Sequence, residues 1–349
     1  MKFLLDCMSG DLGCEEVILG AAEAKKTLDA EFVLFGDEAQ IGAVFSAHNI
    51  PMDGFTIRHA PEIVTMEDDP TRVVRQKKES SMVMGLNALK AGEGDVFIST
   101  GNTGALLTGA TLLVGRVRGV RRATIGTQMP TKTGGSVVVV DTGANAECTP
   151  EYLVQFALLG SAYVETIAGV RSPRIALLSN GTEEHKGNAL VKQTHEELKK
   201  LDEKGLVHFV GNMEARDLFS DVADVIVCDG FTGNVMLKAV EGTASFVMSL
   251  IKNLFLSSFV TKIAALLVKS KLGSLKTMMD YRSVGGTPIL GIAKPVFKAH
   301  GASDRAAWAS AIRSAAKYVD CGTAKRISEI IEKFKETEND GNGDPAGVD

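Results

Sequence analysis

Short runs of apolar residues alternate with amphipathic stretches along most of the chain. Most apolar runs are followed by a polar segment that contains glycine or asparagine, a pattern typical of buried β-strands that end in tight loops. The predicted strands are Lys2 to Asp6, Glu31 to Phe35, Asp95 to Ser99, Ser136 to Asp141, Arg174 to Ser179, Val207 to Val210 and Asp224 to Asp229. Between them apolar residues recur every three or four positions, which predicts helices at Glu15 to Leu28, Pro70 to Lys90 and Glu151 to Ala168. This alternation predicts a three-layer α/β/α fold in which helices cover both faces of a mostly parallel sheet.

The length of 349 residues fits two average domains or one large α/β domain. We predict a single α/β domain over residues 1–335, with an amphipathic helical excursion at about 243–280. Residues 336–349 contain acidic residues and no basic ones, lack an apolar period and are predicted to form a disordered acidic tail. The acids of this tail account for the net charge of −5. The remaining body is therefore neutral, which argues against general nucleic-acid binding.

The cysteine pattern and the first residues indicate where the protein works. The 5 cysteines are widely spread and form no CxxC pair, which argues against a disulfide framework or a zinc ribbon and fits a reducing cytoplasm. The apolar run at the amino terminus ends at Asp6 and is too short for a signal peptide. No run of about 18 apolar residues is free of charge, so no membrane-spanning segment is predicted.

Six loops that follow predicted strands are rich in glycine and asparagine. They are DCMSGDLG (6–13), STGNTGA (99–105), DTGANAE (141–147), SNGTEEHKGN (179–188), GNMEARD (211–217) and CDGFTGN (228–234). In open parallel sheets the ligand binds beyond the carboxyl ends of the strands, and glycine loops that lead into helices favour an anion there. The set therefore favours a phosphate-sized ligand. The alternative, that these residues only make turns and cap helices, stays open for each loop.

Standard nucleotide and hydrolase signatures are missing from the sequence. It contains no GxxxxGK[ST] and no GxGxxG, which disfavours ATP and NAD, and it contains no GxSxG and no HExxH. No cofactor and no metal site are predicted. Cys7, Cys148 and Cys228 lie at predicted strand ends without an obvious partner base, so we interpret them as small buried residues.

The densest chemistry lies in the loop at residues 183–188, EEHKGN. Lys186 can place a positive charge on a phosphate or on a developing oxyanion, and Asn188 adds a neutral donor, although a solvated helix start is the alternative. Asn234 and Lys238 are four residues apart and so share one face of a predicted helix. Lys238 is equally compatible with a plain surface position.

The segment between Glu241 and Asp280 contains lysines and no acid. Its apolar residues follow a helical period at Phe255, Phe259, Ile263, Leu266 and Leu267. Such a helix can lie on an anionic membrane, or it can bury its apolar face in the core or in a dimer contact. Two other basic clusters, at residues 72–78 and 116–122, are candidate docking sites for an acidic partner or ordinary solvated faces.

Taken together, the motifs resemble one protein family. They are STGNTGALL, DTGANAECTPEYLVQFALLGSAY, GTEEHKGN, VGNMEARDLF, VCDGFTGNVMLK and GGTPILG followed by HGASD. The set resembles the bacterial phosphate acyltransferases (PlsX type, acyl-acyl-carrier-protein:phosphate transacylase) from about residue 1 to 330. The resemblance implies an isocitrate/isopropylmalate-dehydrogenase-like fold and transfer of a fatty acyl group from acyl carrier protein to inorganic phosphate for phospholipid synthesis. It further implies a homodimer, peripheral contact with the inner face of the cytoplasmic membrane, and a downstream glycerol-3-phosphate acyltransferase.

This reaction sets requirements that the loops can meet. A phosphate oxygen that attacks a thioester needs positioning, charge neutralisation and donors for the oxyanion, whereas a thiol leaving group needs little acid help. We therefore expect Lys186 and Asn234 to be catalytic, and Asn188 to hold its loop. The candidate substrate-binding residues are Asn102, Thr103, Asn145, Asn180, Asn188, Asn212, Lys238 and His300. His300 either contributes a proton or caps a turn.

Three other functions are alternatives to this one. A phosphotransacetylase-like enzyme would share the fold but use an acyl-CoA, and the lipid-facing helix and the motif set argue against it. An oxidoreductase of the isocitrate type would need metal-binding aspartates and a dinucleotide site, which the sequence does not show. A non-catalytic membrane-associated scaffold remains the third alternative.

Overall fold

The computed structural model describes residues 1–268 and 285–341. The strands are β1 (Lys2–Asp6), β2 (Glu31–Gly36), β3 (Phe55–His59), β4 (Val96–Ser99), β5 (Thr124–Pro130), β6 (Ser136–Val140), β7 (Arg174–Ser179), β8 (His208–Glu214), β9 (Val225–Val227), β10 (Thr287–Leu290) and β11 (Val296–Lys298). The helices are α1 (Gly13–Lys25), α2 (Glu38–Ala47), α3 (Val73–Gln76), α4 (Ser81–Ala91), α5 (Thr103–Gly109), α6 (Pro150–Ala168), α7 (Ala189–Glu203), α8 (Gly230–Leu256), α9 (Phe259–Leu267), α10 (Arg305–Asp320) and α11 (Thr323–Gly341).

The strands form one 11-stranded sheet in the order β3-β2-β1-β4-β11-β10-β5-β6-β9-β7-β8. Neighbours within β3-β2-β1-β4-β11, the first half-sheet, are parallel, and so are neighbours within β6-β9-β7-β8, the second half-sheet. Between them, β10 is antiparallel to β11 and to β5, and β5 is antiparallel to β6. Three successive reversals make the two half-sheets run in opposite directions. The carboxyl ends of their strands therefore point to opposite edges of the sheet.

Helices cover both faces of the sheet. In β1, Phe3 and Leu5 point into the large core that also contains side chains of α1, α6 and α10, while Leu4 points to the opposite face, where α4 and α5 pack. This alternation is the period of two that an extended strand imposes. A third cluster lies under the second half-sheet and includes Met236 at the start of α8. The predicted α/β class, a mostly parallel sheet flanked by helices, is confirmed.

Several boundaries differ from the sequence prediction for local reasons. The predicted helix from Pro70 to Lys90 is two helices: α3 ends at Gln76, and Ser80 caps α4 by accepting a hydrogen bond from Val83 N at 3.4 Å. β3, β5, β10 and β11 were not predicted. β10 and β11 have 4 and 3 residues, too few to show a periodic pattern. At the other end of the chain, α11 continues to Gly341 and so makes the first residues of the predicted tail helical.

The helical excursion begins earlier than predicted and leaves the body of the domain. α8 has 27 residues, a length of about 40 Å, and its buried residues are Gly230, Gly233 and Met236. By length and composition alone α8 is apolar enough to cross a membrane, which is weak evidence for such a role. Ser258 and Thr261 then form a capping box that starts α9. The rest of the predicted excursion, beyond residue 268, lies outside the described residues.

Candidate functional site

A polar cleft of 490 Å³ lies between the two half-sheets. The first half-sheet contributes Lys298 and His300 at the end of β11, and β5 and the start of β10 supply the opposite wall. α8 closes the cleft with Asn234, Lys238 and Glu241. The cleft thus gathers cationic and neutral donors from three separate stretches of the chain. Thr103, at the start of α5, also lines it.

Lys298 is the residue in this cleft that the sequence analysis missed. Its ammonium donates hydrogen bonds to the backbone oxygens of Thr100, at 3.0 Å, and of Ala299. Burial lowers the pKa of Lys298 to about 8, an effect that the nearby carboxylates of Asp11 and Asp6 oppose and the charge of Lys238 reinforces. An ammonium has three N–H donors, so one remains for a ligand in the cleft. The only sequence signal was a lysine at the end of a short apolar run, VFK, just before HGASD.

The two lysines of the cleft lie close to two carboxylates. Lys238 forms an ion pair with Glu241 at 2.8 Å, and Asp11 lies near Lys298. Both carboxylates line the cleft together with the two lysines. An anion that enters the cleft therefore competes with Glu241 for Lys238.

A second cavity, of 900 Å³, lies beside the carboxyl ends of the second half-sheet. Its lining is mostly apolar and includes Leu178 of β7, Phe219, and Phe231, Val235 and Val247 of α8. Its volume falls near the upper end of the usual range for small-molecule sites, about 300–1,000 Å³. This cavity can hold a sizeable apolar group.

The first turns of α8 separate the cavity from the cleft. Asn234 and Lys238 face the polar cleft, whereas Phe231, Val235 and Ala239 face the apolar cavity. The two sets interleave along the sequence at the spacing that puts them on different sides of one helix. A molecule with an apolar part in the cavity and a polar end in the cleft would have to pass close to Asn234.

A buried aspartate fixes the start of α8 in this position. Asp141, which follows β6, accepts hydrogen bonds from the backbone N–H groups of Ile125 at 3.1 Å and Asn145 at 2.7 Å. Gly233 packs directly on it, because a Cβ at that position would lie 1.9 Å from the Asp141 carbonyl oxygen. Only glycine permits this close approach, so Gly233 sets the distance between α8 and the sheet. Asp229 caps the helix by accepting from Thr232 N at 2.9 Å.

The eight predicted substrate-binding residues are divided between these two places and the loops. Thr103, Lys238 and His300 line the polar cleft, and Asn180 and Asn188 line the apolar cavity. Thr103 and His300 follow strands of the first half-sheet, and Lys238 follows β9 of the second, whereas both cavity residues follow β7. The catalytic candidate Asn234 is in the polar cleft.

The remaining predicted asparagines line neither cavity and bind neighbouring backbone groups. Asn102 caps α5 by accepting from Ala105 N at 3.1 Å, and Asn145 donates to Ala123 O at 2.8 Å. Asn212 donates to Glu183 O at 2.9 Å. Asn188, which lines the apolar cavity, also caps a helix, because its side chain accepts a hydrogen bond from Val191 N at 2.9 Å.

Lys186 lies in the loop between β7 and α7 and lines neither cavity. The methylenes of its side chain pack on Gly181, where an added Cβ would lie 2.8 Å from Lys186 Cγ. Its chain neighbour Gly187 does line the apolar cavity, with Asn180 and Asn188 of the same loop. Lys186 is therefore next in sequence to a residue that lines the apolar cavity, without lining it itself.

His300 takes part in the turn after β11. Its Nδ1 accepts a hydrogen bond from Ala302 N at 3.2 Å, which assigns the ring proton of the neutral form to Nε2. The exposed ring still reaches the polar cleft. Among residues 1–268 and 285–341, no group of three or more histidines, cysteines, aspartates or glutamates is placed to hold a metal ion.

The cysteines at the strand ends are poor nucleophiles. Burial raises the pKa of the Cys7 and Cys228 thiols well above their ordinary value, and it raises the pKa of Cys148 to about 12. A thiol needs to ionise before it attacks a carbonyl carbon. These groups therefore stay protonated and unreactive near neutral pH.

The apolar residues predicted for a membrane contact lie on α8 and α9. Phe259, Leu266 and Leu267 are 78%, 71% and 81% exposed, and Ile263 is also exposed, whereas Phe255 is half-buried. No described part of the chain covers the four exposed side chains. They form a surface that a lipid interface or a second protein could cover.

The fold is similar to that of phosphotransacetylases and of a dehydrogenase-like protein of known structure. A phosphotransacetylase from Streptococcus pyogenes superposes with a TM-score of 0.58 at 17% identity, over 95% of this chain and 94% of that one. A Salmonella typhimurium protein assigned as a 4-hydroxythreonine-4-phosphate dehydrogenase gives a TM-score of 0.52 at 12% identity, over 90% of this chain and 98% of that one.

Sequence similarity identifies the family. The family model described as "Fatty acid synthesis protein" matches residues 1–326. A relative from Oceanobacillus iheyensis, named phosphate acyltransferase, is 43% identical over 340 residues, which cover 97% of this chain and 100% of the relative. The chain belongs to the phosphate acyltransferase family, as its motifs led us to expect.

Proposed function

We propose that the protein transfers a fatty acyl group from a thioester on acyl carrier protein to inorganic phosphate and releases acyl phosphate. The observation that carries this proposal is the division of the site by α8. One side of the helix faces an apolar cavity large enough for an acyl chain, and the other faces a cleft that contains two lysines. Membership of the phosphate acyltransferase family supports the same reaction.

Phosphate would bind in the polar cleft. The third N–H of Lys298 is directed by the two backbone hydrogen bonds that hold the ammonium, and Lys238 can exchange Glu241 for the incoming anion. Asn234, Thr103 and His300 line the same cleft, and the amide of Asn234 and the hydroxyl of Thr103 can supply neutral donors. Charge-assisted hydrogen bonds of this kind are about twice as strong as neutral ones.

The acyl chain would bind in the apolar cavity, with its thioester near the start of α8. A phosphate oxygen then attacks the thioester carbon, the carbon–sulfur bond breaks in the tetrahedral intermediate, and the thiolate leaves with the carrier. Holding both reactants in place removes most of the entropic cost of their encounter. We assign stabilisation of the oxyanion to Asn234 on the cleft side and to Lys186 on the cavity side.

Transfer would be direct, without an acyl-enzyme. The raised pKa of the Cys7, Cys148 and Cys228 thiols supports this choice, because a covalent relay needs an activated nucleophile. Phosphate and acyl donor would then have to be bound at the same time. The positions of the cleft and the cavity on two sides of one helix fit simultaneous binding.

The exposed helices would connect the enzyme to its surroundings. We assign α9 to an anionic membrane surface at the cytoplasmic side, because its exposed apolar residues are accompanied by Lys262 and by no acid. The exposed apolar residues in the carboxyl-terminal half of α8, such as Phe246 and Leu250, are suited to contact with a second copy of the chain in a homodimer. A membrane position would deliver acyl phosphate to a glycerol-3-phosphate acyltransferase.

The reaction can be tested directly with purified protein. Acyl carrier protein loaded with a long-chain thioester is incubated with phosphate, and acyl phosphate is trapped with hydroxylamine. We expect product only when protein, thioester and phosphate are all present. Comparable kcat/KM for acetyl-CoA would favour the phosphotransacetylase-like alternative, and no product from any thioester would favour the scaffold.

A further inference from the structure

One basic surface is not used by the proposed catalytic site. Arg116, Arg121 and Arg122, from the segment before β5, line a surface depression of 620 Å³ with Lys335 of α11. Arg118 lies exposed in the same segment. We call these five residues the arginine patch. The described residues that line the depression include no carboxylate.

The patch is held in place by α6. The side chain of Gln155 accepts a hydrogen bond from Arg121 N at 2.8 Å and donates to Gly119 O at 3.1 Å. The guanidinium of Arg122 lies over the ring of Tyr152, 5.6 Å from its centroid. Because the backbone and one guanidinium are already fixed, little conformational entropy is lost when a partner binds.

Most of the positive charge of the patch is uncompensated. Glu151, which pairs with Arg121 at 2.8 Å, is the one acid that forms an ion pair with a patch residue within residues 1–268 and 285–341. Arg118 has no hydrogen-bond or ion-pair partner in the same part of the chain. Within the described residues, the other four cations of the patch have no acid partner, on a body that is neutral as a whole.

The other basic cluster, at residues 72–78, has more of its charge paired with acids. Lys77 is paired with Asp68 at 2.6 Å, and Arg72 is paired with Asp69 at 3.3 Å. Acids that precede α3 thus neutralise much of that cluster. In the part of the chain that the structure describes, two of its four basic residues have an acid partner, compared with one of the five in the arginine patch.

The patch is close in the chain and through hydrogen bonds to residues that line both compartments of the site. Ala123, next to Arg122, accepts a hydrogen bond from Asn145 at 2.8 Å, and Asn145 O accepts one from Gly230 N at 2.7 Å, beside the cavity-lining Asp229. In the other direction, Ile125 lines the polar cleft and lies three residues from Arg122, at most about 11 Å along an extended chain.

We propose that the arginine patch docks an acidic face of the protein that carries the acyl thioester. This inference rests on the proposed function, since it concerns the donor of that reaction. A protein donor must rest outside the site while its acyl group reaches in, and the patch offers that resting place beside the cavity. Arginine is enriched in protein interfaces, and complementary charge raises association rates. A membrane is the less suitable occupant, because the lining of the depression has no exposed large apolar side chain, whereas α9 has several.

Charge reversal with two donors tests the inference. The variant Arg118→Glu/Arg122→Glu is compared with Arg72→Glu/Arg75→Glu, which changes the net charge equally. Each full-length protein is assayed with an acyl thioester on carrier protein and with the same acyl group on free pantetheine. We expect the patch variant to have a KM for the carrier-bound donor that is about tenfold higher or more, with an unchanged kcat for that donor. For acyl-pantetheine, both kcat and KM should be unchanged. The control variant should leave all of them within about twofold.

Binding measured without turnover separates this inference from the proposed function. Fluorescence anisotropy of labelled carrier protein should show weaker binding to the patch variant, and salt should weaken wild-type binding more steeply than that of the variant. Unchanged carrier affinity in the patch variant overturns the inference even if acyl transfer is confirmed. An equal loss with both donors, an altered oligomeric state or lost liposome binding would also overturn it, since each assigns the patch to another role. Patch-dependent carrier binding by a protein that transfers no acyl group would retain the docking surface and reject the reaction.

Discussion

Replacing Lys298 with methionine removes the ammonium from the polar cleft and keeps most of the side-chain volume. In the proposed site the third N–H of Lys298 binds phosphate, and a hydrogen bond to a charged group contributes about 1.5–3 kcal/mol. Losing it should lower kcat/KM for phosphate by about tenfold to 150-fold. The KM for the acyl donor should stay close to the wild-type value, because the apolar cavity is unchanged.

The substitution also leaves two backbone carbonyls, of Thr100 and Ala299, without their donor. Lys294→Met is the matched control, because Lys294 likewise donates to two carbonyls, Leu89 O at 2.8 Å and Lys90 O at 3.2 Å, and does not line the cleft. Both variants should unfold at a lower temperature. Only Lys298→Met should lose phosphate-dependent rate.

The pH dependence gives a second readout of the same residue. The pKa of Lys298 is lowered to about 8, so its ammonium loses its proton as the pH rises through that value. The ratio kcat/KM for phosphate, which reports on the free enzyme, should therefore fall on the alkaline side with an apparent pKa near 8. Lys298→Arg should move this decline to higher pH, since guanidinium stays charged. The assignment of Lys298 to phosphate binding would be refuted if Lys298→Met kept the wild-type kcat/KM for phosphate. It would also be refuted if Lys294→Met lost as much of that kcat/KM as Lys298→Met.

The other predictions concern Lys186, the exposed face of α9 and the order of substrate binding and acyl transfer. Lys186→Ala should reduce acyl transfer by about 100-fold, or about 3 kcal/mol, with normal circular dichroism; near-normal rates would make the residue peripheral. Phe259→Glu/Leu266→Glu should abolish sedimentation with anionic liposomes and leave transfer from soluble donor intact, whereas Leu112→Glu, at an exposed site on the body, should sediment normally. Unchanged sedimentation of the double variant would assign the helix face to protein contacts. Initial-rate plots should intersect, as for a ternary complex, and Cys228→Ala should remain active; parallel lines, or a label trapped on that cysteine without phosphate, would contradict direct transfer.

The parts of the fold that sequence could predict are those with a local signature. β1 and β6 are buried runs followed by glycine loops, and α6 shows a long apolar period, so each is visible within its own residues. The reversal between the half-sheets is not local, because it arises from β10 and β5, which are short or of mixed polarity. The six similar loops therefore suggested one anion site, while the fold distributes them between two places.

The same distinction applies to single residues of the site. Asn234 and Lys238 were found because their spacing puts them on one face of a helix, and that helix forms the wall of the cleft. Lys298 was missed because its environment is created by Asp6, Asp11 and Thr100, which are distant in sequence. Asn102 and Asn145 show the reverse case, since residues with suitable chemistry are already engaged in capping and loop contacts.

The shared wall formed by α8 also bears on how the specificity of this protein could be engineered. Val235 and Ala239 border the apolar cavity, while Asn234 and Lys238 border the polar cleft. Larger side chains at the first pair would shorten the space for the acyl chain without entering the cleft, because a helix keeps its faces apart. If the proposed function holds, the preferred length of the acyl chain and the binding of phosphate can thus be altered separately, by substitutions at neighbouring positions of α8.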